Sequence, residues 1–324
     1  PDHLPIVLLG ASDPKAKVRG LRAGADDYQA LPIHPAELLA RIRRLVARYS
    51  PRPHVTGHAP RSHGQVLAFY GAKGGVGTTT LAINTAIGLH REARRRVVLV
   101  DGNLQFGDHR VFLDIGNDKR SVVDAVSAPA IDADLLETVV VHHESGIDLL
   151  LAPTSPEAAE HVSGEHHHMA HIVETLRTMY DYVVVDLDQR LDDHCLDVVS
   201  AADRLLVVLT ADLSCIKNVR LVLETMGQIG VASDRMELVL NRSNAFTGIS
   251  AKSVEAVLKA PIHYQVVNDY RAAITSLNTG EPFMVGRTDS PIGRSLVELV
   301  RALDRTPAAH RHESVAQLQP AFSN

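Results

Sequence analysis

Seven apolar runs of strand length recur between residues 65 and 304, at 65–70, 97–100, 147–152, 181–186, 205–210, 236–241 and 261–267. Between and after them lie segments with helical periodicity or composition: 78–90, 121–127, 132–140, 165–180, 214–229, 271–279 and 291–304. The runs are almost continuously apolar rather than alternating, as expected of strands buried on both faces. Strand alternating with helix predicts an open α/β fold, a doubly wound and mostly parallel sheet covered on both sides. In such a sheet ligands bind outside the carboxyl ends of the strands.

The pattern ahead of residue 65 is different. A short apolar strand at 5–10 precedes a helix at 13–23 that stops at Gly24, and a second strand at 26–30 leads to Leu31-Pro32. Residues 35–49 form a strongly amphipathic helix, with Leu38, Leu39, Ile42, Leu45 and Val46 on one face and Arg41, Arg43, Arg44 and Arg48 elsewhere. Residues 50–64 are rich in proline, glycine and polar side chains and read as a linker. The expected organisation is a small β-α-β-α module at 1–49, the linker at 50–64, the main domain at 65–306 and a polar, disordered tail at 307–324.

Composition narrows the picture. The 324 residues are 45% hydrophobic and 22% charged with a formal net charge of −5, which is globular and long enough for about two domains. No apolar run reaches spanning length, and no charged-then-apolar leader opens the chain, so neither a transmembrane helix nor a signal peptide is expected. The opening residue is Pro1, which suggests a fragment. Cys195 and Cys215 are too few for a disulfide framework and fit a reducing cytoplasm. Trp is absent and aromatics are 4%, so little surface exists for stacking bases. The cations Arg91, Arg94, Arg95 and Arg96 follow a helix end, where they complement its dipole. Nucleic acid is not the expected partner.

The chemistry concentrates where the first main-domain strand meets its helix. Gly71-Ala-Lys-Gly-Gly-Val-Gly77 packs four glycines into seven residues, followed by Thr78, Thr79 and Thr80. Glycines let the backbone form a nest of inward N–H groups, and the helix adds its free N–H groups and positive dipole end. Phosphate is the natural occupant, so Lys73, Gly74, Gly75, Val76, Gly77, Thr78, Thr79 and Thr80 are the phosphate-site candidates. Against G-x-x-x-x-G-K-[ST], Ala72 holds the first glycine position, Thr78 the lysine position and Thr79 that of the Mg²⁺-binding hydroxyl. Asp101 and Asp186 end apolar strands, and Asp186 has the placement of an acid that holds Mg²⁺ through water. Asn241 also ends a strand; its amide matches an adenine edge, or else caps the turn. Asn268 follows the last strand. His167 and His171 are four apart, but no acid or Cys at matching spacing accompanies them, and a hydrated helix face is the preferred reading.

Lys73-Gly-Gly-Val-Gly77 resembles the deviant Walker A loop of the ParA/MinD family. That resemblance implies ATP and Mg²⁺ as cofactors and a homodimer in which Lys73 reaches the partner's nucleotide. It makes Lys73, Asp101 and Asn103 the catalytic candidates, Thr79 and Asp186 the metal candidates, and Asn241 and Asn268 base-side contacts. The family's first switch usually carries a second acid where Asn103 stands; Asn cannot take a proton at pH 7, and only Asp108 offers a nearby substitute. Residues 187–193 would form the second switch loop. The module at 1–49 resembles the C-terminal half of a response-regulator receiver, with Ala23-Gly-Ala-Asp-Asp-Tyr28 and Leu31-Pro32-Ile33. Leu31 replaces the receiver's lysine and the acidic pocket is missing, so docking or dimerisation is expected there rather than phosphotransfer. The two parts together resemble the CpaE/TadZ group, through residues 71–80, 101–108, 146–153, 181–187 and 238–242. That implies a nucleotide-gated scaffold for Flp/Tad-type pilus assembly with slow or absent hydrolysis. It would be cytoplasmic, recruited to pilus or type II-like secretion components at the inner membrane or cell pole. Two rivals stand: an active DNA-binding partition ATPase, and a response regulator with an ATPase output.

Overall fold

The computed structural model describes residues 6–10, 23–25, 27–31, 38, 64–128, 130–162 and 167–305. The chain divides into two compact units, Pro1–Arg61 and Ser62–Asn324. In the first, β1 (Val7–Gly10) and β2 (Asp27–Ala30) pair in parallel, with Val7 opposite Asp27. The helices expected at 13–23 and 35–49, the linker and the tail fall outside the described residues, Leu38, Gly64 and the two residues at 23–24 aside.

The second unit is built on one eight-stranded sheet. Its strands are β3 (Gln65–Gly71), β4 (Val97–Gly102), β5 (Val141–His142), β6 (Asp148–Leu150), β7 (Tyr182–Leu187), β8 (Arg204–Leu209), β9 (Met236–Asn241) and β10 (Ile262–Val266). They lie in the order β10-β9-β8-β3-β7-β4-β6-β5, and every described pairing is parallel except β5 with β6. The sequence predicts seven strands. The eighth, β5, is a two-residue antiparallel edge too short for any periodicity to mark it. The run at 147–152 forms a strand only over its middle three residues.

The central strands are as dry as their composition predicts. Val66 to Phe69, Val98 to Leu99 and Val183 to Val185 are fully buried. The edge strand β10 alternates half-buried with exposed positions until Val266. The helices that matter for the site are α1 (Thr78–Arg91), α2 (His109–Phe112), α3 (His168–Met179), α4 (Asp193–Ala201), α5 (Leu213–Gln228), α6 (Ala251–Leu258), α7 (Tyr270–Thr279), α8 (Phe283–Gly286) and α9 (Pro291–Arg305). Helices α4, α6 and α8 lie outside the helical segments that the sequence reading marked. The first two are short and are started locally, by the Asp192 carboxylate accepting from the Cys195 N–H and the Ser250 hydroxyl from the Ser253 N–H.

Helix α1 is buried all round rather than along one face. All of Leu81 to Leu89 is buried, because the sheet covers one side and α8 and α9 the other. Gly88 permits that approach: a Cβ there would lie 2.5 Å from Val300 Cγ2. Asn84 fastens α8, its Nδ2 donating to Thr80 O at 2.8 Å and its Oδ1 accepting from the Met284 N–H at 3.0 Å. Asn84→Ala strands that buried N–H, so a loss of about 1–3 kcal/mol in unfolding free energy is expected by urea titration. Arg91 donates to Met284 O and Val285 O, Arg95 pairs with Asp304 at 2.8 Å, and Arg96 donates to Met179 O. Three of the four arginines after the helix therefore tie elements together.

Candidate functional site

The loop between β3 and α1 is shaped by two left-handed glycines, Gly75 at φ +76° and Gly77 at φ +96°. Gly77 is the N-cap of α1, no side chain caps the helix, and no acid lies in its first turn. The N-terminal N–H groups and the positive dipole end therefore face the loop without a protein anion, as an anion site requires. Thr78, Thr79 and Thr80 are half-buried around this spot.

The loop is braced from both sides, by the predicted Asn241 and by Asp212, Ser214, Asn218 and Arg242, which the sequence reading did not single out. From α5, Asn218 Nδ2 donates to Ala72 O at 3.0 Å, and Asp212 and Ser214 receive Lys73 Nζ at 3.0 and 2.8 Å. Burial alone would raise the Asp212 carboxyl. Hydrogen bonds from Thr210, the Cys215 N–H, Ser214 and Lys73 overcome it and hold the group well below the usual carboxylate range. From β9, Asn241 Nδ2 donates to Val76 O at 2.7 Å and the Arg242 guanidinium to Gly75 O at 2.9 Å. Asn241 Oδ1 accepts the Arg242 N–H at 2.9 Å. Both ends of the Asn241 amide are thus engaged, one with the loop and one with its own turn.

Asp101 and Asp186 end the adjacent strands β4 and β7 and face each other in register. Both are buried, and between them sits a residue that the sequence reading passed over, His109, the first residue of α2. Its Nε2 lies 3.2 Å from Asp186 Oδ2, its Nδ1 3.9 Å from Asp101 Oδ2, and its N–H donates to Asp101 Oδ2 at 3.3 Å. Burial, reinforced by the Asp186 charge, pushes the Asp101 carboxyl up to about 6 despite the lowering effect of His109. Burial also works against charge on His109, but Asp101 and Asp186 outweigh it and raise the imidazole above its ordinary range. No local pattern announces a buried histidine seven residues past a strand end.

The other predicted residues are placed as follows. Asn103 closes the first switch turn on itself, its Nδ2 donating to Phe106 O at 2.9 Å and its Oδ1 accepting the Phe106 N–H at 3.2 Å. Asp108 is exposed. The two switch loops touch, with Arg190 donating to Gln105 Oε1 at 2.9 Å, and Tyr70 OH donates to Gln189 O at 2.7 Å. Asn268 is exposed, its N–H donating to Asn244 Oδ1. Beside the start of α1 a cavity of about 140 Å³ is lined by Thr80, Arg242 and Tyr270 with apolar neighbours, so the immediate followers of Asn241 and Asp269 reach it. His167 pairs with Asp197 at 2.6 Å, an acid brought from α4, and His171 is exposed.

Residues 64–238, more than half of the chain, match the family model described as AAA domain. The septum site-determining protein MinD of Synechocystis sp. is 24% identical over 245 residues, covering 74% of this chain and 89% of that protein. The crystal structure of a ParA family ATPase from Chlorobium tepidum matches with a TM-score of 0.69 and 26% identity, over 73% of this chain and 98% of that one. MinD from Pyrococcus horikoshii, solved in complex with Mg-ADP, shares the fold with a TM-score of 0.66 at 18% identity, over 75% and 96% of the two chains.

Proposed function

The chain belongs to the AAA domain family, as a P-loop ATPase of the ParA/MinD type, and on that premise we propose that it is a nucleotide-gated dimeric scaffold. It binds ATP with Mg²⁺, hydrolyses it slowly or not at all, and positions assembly machinery of the Flp/Tad pilus type. The observation that carries the reading is the glycine loop with its two left-handed residues opening on an uncapped helix N-terminus. The residues fit the cofactor. The uncapped N–H groups suit phosphate, Thr79 supplies a hydroxyl at the start of α1, and Asp186 Oδ1 is a buried acceptor with no partner in the protein. Bound Mg²⁺ would supply charge neutralisation at the phosphates. The cavity beside Thr80, Arg242 and Tyr270 suits the base.

Slow turnover follows from what the catalytic positions hold. Thr78 brings no cation to the phosphates, and Asn103 takes no proton and is spent on Phe106. Lys73 is the loop's own cation, and in the single chain it rests on Asp212 and Ser214. Reaching a partner's phosphate means leaving them. A ligand that binds only the paired form favours pairing by mass action.

The test combines Mg·ATP binding, phosphate release and light-scattering mass on one sample. Tight binding, an ATP-dependent dimer lost in Lys73→Ala, and negligible phosphate release are expected. Brisk turnover would replace the scaffold by a working ATPase, and absence of ATP binding would remove the reading. Asp212→Asn frees Lys73 from a half-exposed ion pair worth about 0.2–1 kcal/mol, so dimerisation should need about 1.5- to 5-fold less ATP. An unchanged midpoint would show that the pair does not restrain the lysine.

A further inference from the structure

Asp101, His109 and Asp186 are the one group of three metal-ligating side chains that converges among the described residues. One ligand atom of each lies within 4.8 Å of the other two, and all three residues are at least 98% buried. Two of their atoms, His109 Nδ1 and Asp186 Oδ1, are buried with no hydrogen-bond partner, although Nδ1 lies 3.9 Å from Asp101 Oδ2. A buried polar atom without a partner costs about 1–3 kcal/mol, so a fold that keeps two in one cluster has reason to fill it. Two carboxylates buried on neighbouring strands also repel unless a cation stands between them. A protonated His109 meets that demand, and a metal ion bound by the neutral imidazole would meet it equally.

We propose that Asp101, His109 and Asp186 form a site for a first-row transition-metal dication, of which Zn²⁺ is the probe, held by the protein without nucleotide. The donor set decides the class. Mg²⁺ prefers an octahedron of oxygens and keeps several waters, whereas an imidazole with two carboxylates suits Zn²⁺, Co²⁺ or Mn²⁺. Three protein ligands leave a coordination position open. The backbone at Gly107 comes close over the site: a Cβ there would lie 2.3 Å from Asp101 Oδ2 and 2.5 Å from Ala152 Cβ. The site shares Asp186 with the Mg²⁺ that would enter with ATP; its own ion is measured with no nucleotide present, so failure of this proposal and failure of the ATP-binding reading are told apart.

The experiment uses the whole chain, stripped with chelator and free of nucleotide. Zn²⁺ is titrated in competition with a chromophoric chelator, and Co²⁺ is followed by its visible d–d absorption. One tight Zn²⁺ per chain is expected above the weak background of surface histidines. The Co²⁺ band should be removed by Zn²⁺ and survive excess Mg²⁺. His109→Gln should weaken the tight site by about tenfold or more, as should the near-isosteric Asp101→Asn. His142→Gln, which removes an exposed histidine paired with Asp148, should leave it unchanged. Circular dichroism checks each fold, and if His109→Gln does not fold, Asp101→Asn and the Co²⁺ band decide. Absence of a tight site, equal affinity in the folded variants and wild type, or displacement of Co²⁺ by Mg²⁺ as readily as by Zn²⁺ would overturn the proposal.

Discussion

Gly77→Ala is expected to weaken ATP binding by about 100-fold or more, while Gly75→Ala costs about 5- to 30-fold. Both glycines sit in the left-handed region, where an L side chain costs about 1–2 kcal/mol, a factor of about 5 to 30 in an equilibrium. They differ in what a side chain would meet. At Gly75 a Cβ points into open space. At Gly77 it would lie 2.4 Å from Asn241 Nδ2, the atom that donates to Val76 O. Alanine there must either expel Asn241 and strand the Val76 carbonyl or move the N-cap of α1. Either route turns loop N–H groups away from the phosphates, adding roughly 1–3 kcal/mol for the broken buried hydrogen bond. Calorimetric titration of Mg·ATP into the two variants isolates the clash, since the strain is common to both. Equal losses would mean that the strap from Asn241 does not set the loop. The urea midpoint should fall further in Gly77→Ala as well, because the Asn241 bond is itself buried.

That contrast also shows what could be read from the residues in order. The glycine spacing, the strand before it and the helix after it lie within about 25 residues, so local pattern specifies them, and the long apolar runs fixed seven of the eight strands in the same way. Asp101 and Asp186 were legible because a carboxylate closing an apolar run can only face the crevice. What holds the loop was not. Asp212, Ser214, Asn218 and Arg242 lie between 139 and 167 residues from the loop atoms they bond, or similarly far, and only the sheet order brings them there. Each looks like an ordinary helix-cap or surface residue along the chain. His109 is the sharpest case. In sequence it is one polar residue in a polar loop, yet it is fully buried between two acids supplied by strands 85 residues apart in the chain (101 and 186). Asn103, legible by its place in the switch, turned inward to its own loop instead, because an Asn with a carbonyl and an N–H three residues on has two local bonds to make.

Arg204→Leu is expected to cost about 3–5 kcal/mol of unfolding free energy, a large share of the roughly 5–15 kcal/mol of a typical domain. Arg204 opens β8 and is 3% exposed. Its fork meets the Glu237 carboxylate of β9 at 2.8 and 2.6 Å, its Nη1 donates to Leu303 O of α9 at 3.2 Å, and its Nη2 donates to Tyr264 OH of β10. One guanidinium thus joins three strands and the closing helix at the end of the sheet away from the glycine loop. Burial opposes its charge, but the bonds to Glu237 and Tyr264 more than compensate and keep it firmly cationic. Leucine restores apolar volume and leaves the Glu237 carboxylate buried with no counter-charge, which is where the cost arises. The double variant Arg204→Leu with Glu237→Leu removes the stranded charge, so most of the loss should return, as a buried pair replaced together by apolar residues is often neutral. A urea-denaturation cycle over the two single variants and the double measures the coupling directly. Single losses that simply add would mean that the two charges act independently of each other, and that packing rather than charge pairing is what Arg204 contributes at that end of the sheet.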